Sequence, residues 1–156
     1  MAGRNWFSNF HPFAKPLIYQ GIIFVTPEHF FQAMKVPKVD LAIRQKIARA
    51  ATPAEAKKLG RMITLRPDWE QIKVEVMIFA QRYRFSDPEW RLKLLETRGE
   101  IVEWNTWHDR TWGKCTCPLC KGEGKNLLGE ILMKLRDEML LKKETVWRNT
   151  IQPSPH

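Results

Sequence analysis

Apolar positions along this chain change period several times, and each change marks an element. Leu17-Ile18-Tyr19 and Ile22-Ile23-Phe24-Val25 are β-branched and aromatic arms about Gln20-Gly21, which predicts a tight hairpin. The chain then enters Thr26-Pro27-Glu28-His29-Phe30-Phe31-Gln32-Ala33-Met34-Lys35. Here Thr26 suits a helix cap, Pro27 the first helical position, and Glu28 a first turn whose dipole favours an anion. A second helix is expected from Asp40 to Ala50. A third runs from the capping box Thr52-Pro53-Ala54-Glu55 to Gly60, with Arg61 directly after it. Asp68 opens a long helix with Trp69, Ile72, Val76, Phe79 and Tyr83 at helical spacing. Asp87-Pro88 opens another, through Trp90, Leu94 and Leu95, which stops near Gly99. Glu100-Ile101-Val102-Glu103-Trp104 alternates polar and apolar side chains and reads as a short strand, in which the face of Glu103 depends on register. Asn126 opens a final amphipathic helix, Leu127 to Leu141, with Leu128, Ile131, Leu132, Leu135 and Met139 as its core stripe.

The segments between these elements differ in character. Trp6-Phe7-Ser8-Asn9-Phe10-His11-Pro12-Phe13 surrounds two small polar residues with aromatics, and Pro12 argues against a central strand, so an irregular aromatic-lined segment is expected. The run from His108 to Lys125 is the longest loop, and loops of that length in compact domains are usually functional or disordered. The tail from Trp147 is Pro-rich and expected to be flexible. A length of 156 residues fits one domain, drawn here as residues 1–146 with 147–156 as the tail.

Composition narrows the class. A hydrophobic content of 44%, with seven Trp and eight Phe, supports a packed core. No apolar run is long enough to cross a bilayer, and Met1-Ala2-Gly3-Arg4-Asn5-Trp6 has no signal-peptide core, so the expected compartment is cytoplasmic, with no membrane partner. The net charge of +9 raises the odds of a polyanionic or phosphorylated partner, although the basic residues are dispersed. The oligomeric state is not legible.

The candidate chemistry falls into three groups. At about 100° per residue, Glu28, Phe31, Gln32 and Lys35 share one quadrant of their helix, which reads either as the wall of a ligand pocket or as a solvated face with a Glu28…Lys35 pair. Cys115-x-Cys117-x-x-Cys120 with His108 offers four ligands of the kind tetrahedral zinc takes. Yet the spacing is irregular and a second Cys-x-x-Cys is missing, so no resident metal is expected and these four are the candidate ligands if one binds. Gly122-x-Gly124-Lys125-Asn126 ahead of a helix reads as a phosphate cradle or a flexible turn. Nucleotide-hydrolase P-loop and serine-hydrolase signatures are absent from the sequence. The carboxylates Glu28, Glu103 and Asp109 stand at element ends or in the long loop, where a scaffold can aim them. Glycosidic cleavage needs a carboxylate to stabilise an oxocarbenium-like centre or direct water, together with a proton source. Phe10, Trp69 and Trp112 are candidates to stack a flat base.

In order, Phe7-Ser8-Asn9-Phe10 with Phe13, Glu28-His29-x-Phe31-Gln32-x-x-Lys35, Ala56-Lys57-x-x-Gly60-Arg61, Trp69 with Lys73 and Met77, Leu94-Leu95-x-Thr97 leading to Ile101-Val102-Glu103, Asp109-x-x-Trp112-Gly113, and Gly124-x-Asn126-x-Leu128-Gly129-x-x-Leu132-Met133-x-x-Arg136 resemble the NADAR/YbiA-like family of N-glycosidases. The resemblance covers residues 7 to 136. It implies a single helix-rich α+β domain with a small β-hairpin or sheet that hydrolyses the N-glycosidic bond of a phosphorylated ribosyl substrate and uses no cofactor. The substrates it implies are ADP-ribosyl-guanine in nucleic acid, ADP-ribose or NAD-related compounds, or a phosphoribosylaminopyrimidine of riboflavin biosynthesis.

Carried onto this chain, the resemblance makes Glu28, Lys35, Glu103 and Asp109 the catalytic candidates. Asn9, Phe10, Gln32, Arg61, Trp69, Trp112 and Asn126 become candidates for substrate binding, with Arg61 on a phosphate and the indoles on the base. The sequence departs from the family pattern at Arg82-Tyr83-Arg84-Phe85, where relatives have a Lys-Phe pair, and in its cysteine-bearing loop. The alternative is a module that binds ADP-ribose without turnover, or a zinc-dependent domain that grips nucleic acid.

Overall fold

The computed structural model describes residues 6–151, with side chains described through residue 143. The hairpin forms as its sequence dictates: β1 (Leu17–Tyr19) pairs antiparallel with β2 (Ile22–Phe24) in the register Leu17 to Phe24, and Gln20 and Gly21 take positive φ of 50° and 75° at the turn. α1 (Pro27–Met34) follows at once. Thr26 Oγ1 accepts the His29 amide at 3.1 Å, and Pro27 and Glu28 occupy the first turn. α2 (Leu41–Ala48), α3 (Pro53–Gly60) and α4 (Trp69–Arg84) complete a compact unit over Met1–Asp87.

Within this unit α1 is the centre, packed against β2, α2, α3 and α4. Every residue from Pro27 to Met34 is therefore buried, polar ones included, and the solvated-face reading of this helix does not hold. Phe30 sits edge-on to Phe24 at 5.4 Å and Tyr19 at 5.5 Å, with Phe79 from α4 at 5.5 Å. Such aromatic pairs contribute about 0.5–1.5 kcal/mol each beyond their area burial. The caps at Thr26 and Thr52 are as expected, and Glu55 reaches back to the Ala51 amide at 3.0 Å. Asp68 stands at its helix start but gives no side-chain cap. Its carboxylate takes Arg66 instead, at 2.6 and 2.9 Å, and that bond first of all holds its carboxyl below the usual range.

The second unit, Pro88–His156, contains α5 (Pro88–Leu95), β3 (Trp104–Asn105), β4 (Lys114–Cys115) and α6 (Leu127–Ile151). Among the described residues the molecule thus has six helices and two two-stranded sheets, an α+β chain. No helix among them is long and apolar enough to cross a membrane. The strand expected over Glu100–Trp104 is corrected here: only Trp104–Asn105 pairs, in parallel with Lys114–Cys115. The reason is Asn126, whose amide Nδ2 donates to Ile101 O at 2.9 Å while its Oδ1 accepts the Glu103 amide at 2.9 Å. A side chain takes the place of the neighbouring strand. Alternation survives in burial, with Ile101 and Glu103 inside and Trp104 outside. Gly129 permits this arrangement, since a Cβ there would lie 2.2 Å from Ile101 O and 2.3 Å from Asn126 Nδ2.

The proposed phosphate cradle before α6 is also corrected. The amides of Lys125, Asn126, Leu127 and Leu128 donate to the carbonyls of Arg110, Gly113, Thr111 and Trp112, so that helix start is already capped by the chain. Backbone of α6 continues to Ile151, past the expected end at Leu141. Of the tail expected to be flexible, residues 152–156 lie outside the described residues.

Candidate active site and a cysteine–histidine cluster

In the first unit the polar face of α1 is an acid–amide pair. Glu28, 7% exposed, receives Gln32 Nε2 on Oε1 at 2.7 Å, one helical turn along. Gln32 Oε1 is buried and has no hydrogen-bond partner. It lies so close to α3 that a Cβ on Gly60 would come within 2.0 Å of it. Gly60 and the fully buried Ala56, one turn earlier, are the small residues that let α3 approach α1. This is the physical content of the Ala56…Gly60 spacing.

Beside the acid, Lys35 is half-buried with Nζ 5.5 Å from the Phe31 ring centre, and Phe31 rests edge-on against the buried Trp69 at 5.1 Å. Burial lowers the Lys35 pKa; Glu28 pulls it up, while Lys57 and Arg61 push it down. One carboxylate, Glu28, and two cations, Lys57 and Arg61, therefore act on Lys35 here. Arg61 is exposed at the C-terminus of α3, where it is available to an anion.

The Glu28 amide donates to Asn9 O at 3.1 Å, which fixes the irregular aromatic segment over the start of α1. Asn9 Oδ1 accepts Gln81 Nε2 at 2.8 Å, and Phe10 next to it is 40% exposed. Arg84 holds the same segment from below. Its guanidinium, 1% exposed, donates to Phe7 O, Ser8 O and His11 O at 2.7–3.0 Å. Arg84 was noted in the sequence only as part of a departure from a family pattern. A findable signal existed, because Met77, Ala80, Gln81 and Arg84 form the buried stripe of α4. His29 has a structural place. Its Nε2 donates to Ala50 O at 3.0 Å, which can only accept, and its Nδ1 lies 2.7 Å from the Thr26 hydroxyl.

The second unit gathers Glu103, Asp109, Trp112 and Asn126 around the β3–β4 pair. Glu103 is buried, with its amide on Asn126 and its carbonyl on the Lys114 amide at 2.9 Å. Asp109 Oδ1 accepts the amides of Thr111 at 3.0 Å and Trp112 at 2.9 Å, so this acid shapes the turn that carries the half-buried indole. Asn105, missed in the sequence, accepts the Trp107 and Asp109 amides on Oδ1 and donates to Asp109 O at 2.7 Å. Both Asn105 and Asn126 thus use their amides to substitute for backbone ladders. A separate groove between α5 and α6, of about 500 Å³, contains none of these residues.

The same unit brings together the scattered His108, Cys115, Cys117 and Cys120, whose ligand atoms all lie within 4.8 Å of one another. All three thiols are free. Burial pushes the Cys117 thiol up, but bonds from the Cys120 amide and from the Cys115 and Cys120 thiols outweigh it, leaving about 7. Cys120 is pushed up to about 11, by burial first and then by its thiol neighbours.

This helix-rich α+β chain belongs to the NADAR domain family, whose pattern matches residues 2–140. Family membership sets it among the YbiA-like N-glycosidases, hydrolases that act on N-glycosyl bonds. It is 37% identical over 140 residues to N-glycosidase YbiA of Escherichia coli strain K12, covering 88% of this chain and 82% of that protein. The NMR structure of E. coli YbiA superposes with a TM-score of 0.69 over 88% of this chain and 79% of that one. An N-glycosidase of Nostoc punctiforme is 39% identical over 137 residues, 85% of this chain and 84% of its own. A riboflavin biosynthesis protein of Zea mays, PYRR, is 37% identical over 148 residues, which are 86% of this chain and 23% of that protein.

Proposed function

We propose that this protein hydrolyses the N-glycosidic bond of a phosphorylated ribosyl substrate, with Glu28 as the carboxylate at the sugar. The observation that carries the reading is the buried Glu28–Gln32 pair beside Lys35, Lys57 and Arg61. As the bond from the anomeric carbon to nitrogen lengthens, positive charge grows on the sugar, and a fixed carboxylate both stabilises that charge and aims the attacking water. Gln32 holds the carboxylate in one orientation. Water adds its oxygen to the anomeric carbon as the bond to nitrogen breaks, one water proton passes to the Glu28 carboxylate, and the departing nitrogen gains a proton. Lys35, with its pKa lowered by burial, is the proton donor to that nitrogen. Arg61 and Lys57 hold the phosphate, Arg61 through its planar fork. Asn9 and Phe10 bind from the segment above α1, and Trp69 supports Phe31 beneath Lys35.

Glu103, Asp109, Trp112 and Asn126 remain candidates on the second unit. Asp109 and Asn126 act there by positioning, as their hydrogen bonds to backbone suggest. The net charge of +9 favours an ADP-ribosyl group attached to guanine in nucleic acid over a free nucleotide, and three free thiols fit a reducing cytoplasm. The likeness to PYRR supports a phosphoribosylaminopyrimidine as the competing substrate. Incubation with an ADP-ribosylated guanine oligonucleotide, with NAD and with phosphoribosylaminopyrimidines, followed by chromatography, separates these. Release of the free base or amine from one of them is expected. Intact substrate in all three incubations contradicts the reading.

A further inference from the structure

We propose that His108, Cys115, Cys117 and Cys120 form a structural zinc site that closes the loop between β3 and α6. The inference is independent of the hydrolase reading. Its basis is that residues spread irregularly over the sequence have their ligand atoms within 4.8 Å of one another, on backbone that is already bonded into place.

Two turns present the ligands. His108, at φ 66°, sits on the turn held by the Asn105 side chain, which bonds the Trp107 and Asp109 amides. Cys115 is the last residue of β4, opposite Asn105, and the Thr116 amide donates to Asn105 O at 2.8 Å, so the two turns are clasped together. Cys117 and Cys120 flank a tight turn in which the Cys120 and Lys121 amides donate to Cys117 O at 3.1 and 2.9 Å. Gly122 N then returns to Cys115 O at 2.7 Å. The irregular spacing that argues against a metal in the sequence reflects these two turns, not a lack of convergence.

The distances suit the ion. With Zn–S near 2.3 Å and Zn–N near 2.0–2.1 Å, the edges of a tetrahedron are about 3.5 Å for sulfur to nitrogen and about 3.8 Å for sulfur to sulfur. His108 Nδ1 lies 3.2 Å from Cys117 Sγ and 3.5 Å from Cys120 Sγ. With every ligand pair inside 4.8 Å, closure onto the metal needs movements of about an ångström or less. Backbone amides point at sulfur as well, His108 N to Cys115 Sγ at 3.3 Å and Cys120 N to Cys117 Sγ at 3.4 Å, which fixes both sulfurs in place. Cys115 and Cys120 are buried, and a zinc ion would neutralise two of the charges that three thiolate ligands bring to it. Three sulfurs and an imidazole match zinc better than calcium or magnesium, which take oxygen. Four protein ligands fill a tetrahedron and leave no position for water, so the ion orders the loop and takes no part in hydrolysis. What it orders is His108 and the adjoining Asp109–Trp112 turn.

The test uses the full chain, expressed with added zinc and purified without chelator. Elemental analysis is expected to find one zinc per chain, and titrating the thiols with a mercurial is expected to release it in step. Cobalt in place of zinc is expected to give the strong visible absorption of a tetrahedral site with sulfur-to-metal charge transfer. Cys117→Ser and His108→Ala are expected to weaken retention against a competing chelator by more than about tenfold, since even outer-shell losses cost about 10–100-fold. Cys117 is half-buried, and its circular dichroism relative to the parent reports whether that variant folds. Should a variant unfold, the parent's cobalt spectrum decides. Metal-free protein that gives only weak octahedral cobalt absorption, or Cys117→Ser protein that holds zinc as the parent does, overturns the proposal. Neither readout depends on turnover, so loss of the hydrolase reading leaves this result standing.

Discussion

Gln32 donates from Nε2 to Glu28 Oε1 at 2.7 Å, with both side chains buried in a helix that touches β2 and three other helices. A buried acid in such a position needs a fixed partner, because unpaired burial of a charge or a strong acceptor is expensive. The pair in turn depends on Gly60, which leaves room for the amide. Gly60→Ala is therefore expected to displace Gln32 while keeping the fold. The expected outcome is a fall in kcat of up to about 100-fold with KM little changed, the mark of a misaimed group rather than lost substrate binding. Steady-state kinetics with matched circular dichroism checks it; unchanged kcat contradicts it.

Lys35 gives a pH signature. Its folded pKa is below the ordinary 10.5, so between the folded and unfolded values the unfolded chain binds more protons and stability rises with pH. The penalty for the charged amine is present in full below that window and disappears as pH rises through it. Lys35→Met removes the penalty. Its stability relative to the parent is expected to be greatest near neutrality and to fall as pH approaches 10.5, measured by urea denaturation at several pH values. A difference that stays flat across that range contradicts the burial of the amine.

Arg84 and the segment it holds form one unit of stability. Arg84→Met removes the guanidinium bonds to the carbonyls of Phe7, Ser8 and His11, leaving Ser8 O with the His11 amide, and each unmade bond in this half-buried segment costs about 1–3 kcal/mol. A loss of about 3 kcal/mol or more is expected in chemical denaturation. Raised KM is expected with it, since Asn9 and Phe10 ride on that segment. An effect under about 1 kcal/mol would contradict the role.

Asn126 is expected to matter for stability more than for contact with substrate. Asn126→Ala removes the bonds to Ile101 O and to the Glu103 amide and places alanine at φ 55°, so a loss of about 2–4 kcal/mol is expected. Asn126→Gly restores the backbone freedom but not the bonds, and is expected to recover only part of the loss. Full recovery with glycine would show that backbone conformation alone explains the residue.

These residues also mark what the sequence discloses and what it hides. The hairpin and α1 are legible because each signal is local: Gln20-Gly21 turns, Thr26 caps, and Pro27 starts the helix. The polar quadrant of α1 is legible as a face, but its burial is not, since that depends on α2, α3 and α4 closing around it. Glu100–Trp104 misleads for the opposite reason. Its alternation is real in burial, yet its ladder partner is the side chain of Asn126, distant in sequence. Asn105 escapes attention because a buried amide that binds carbonyls and amides leaves no spacing rule, whereas Arg84 stands at helical spacing from Met77, Ala80 and Gln81 and is hidden only by its charge. The cysteine cluster is half-legible: the ligand types are plain, and only the two turns make their spacing sensible.

The account stands most directly on Glu28. Parent and Glu28→Gln protein, matched by circular dichroism, are to be incubated with the ribosyl substrate that the chromatographic comparison identifies, and the released base quantified over time. The account predicts base release by the parent and a fall in kcat/KM of at least about 100-fold in the variant. Equal rates from the two proteins would contradict it.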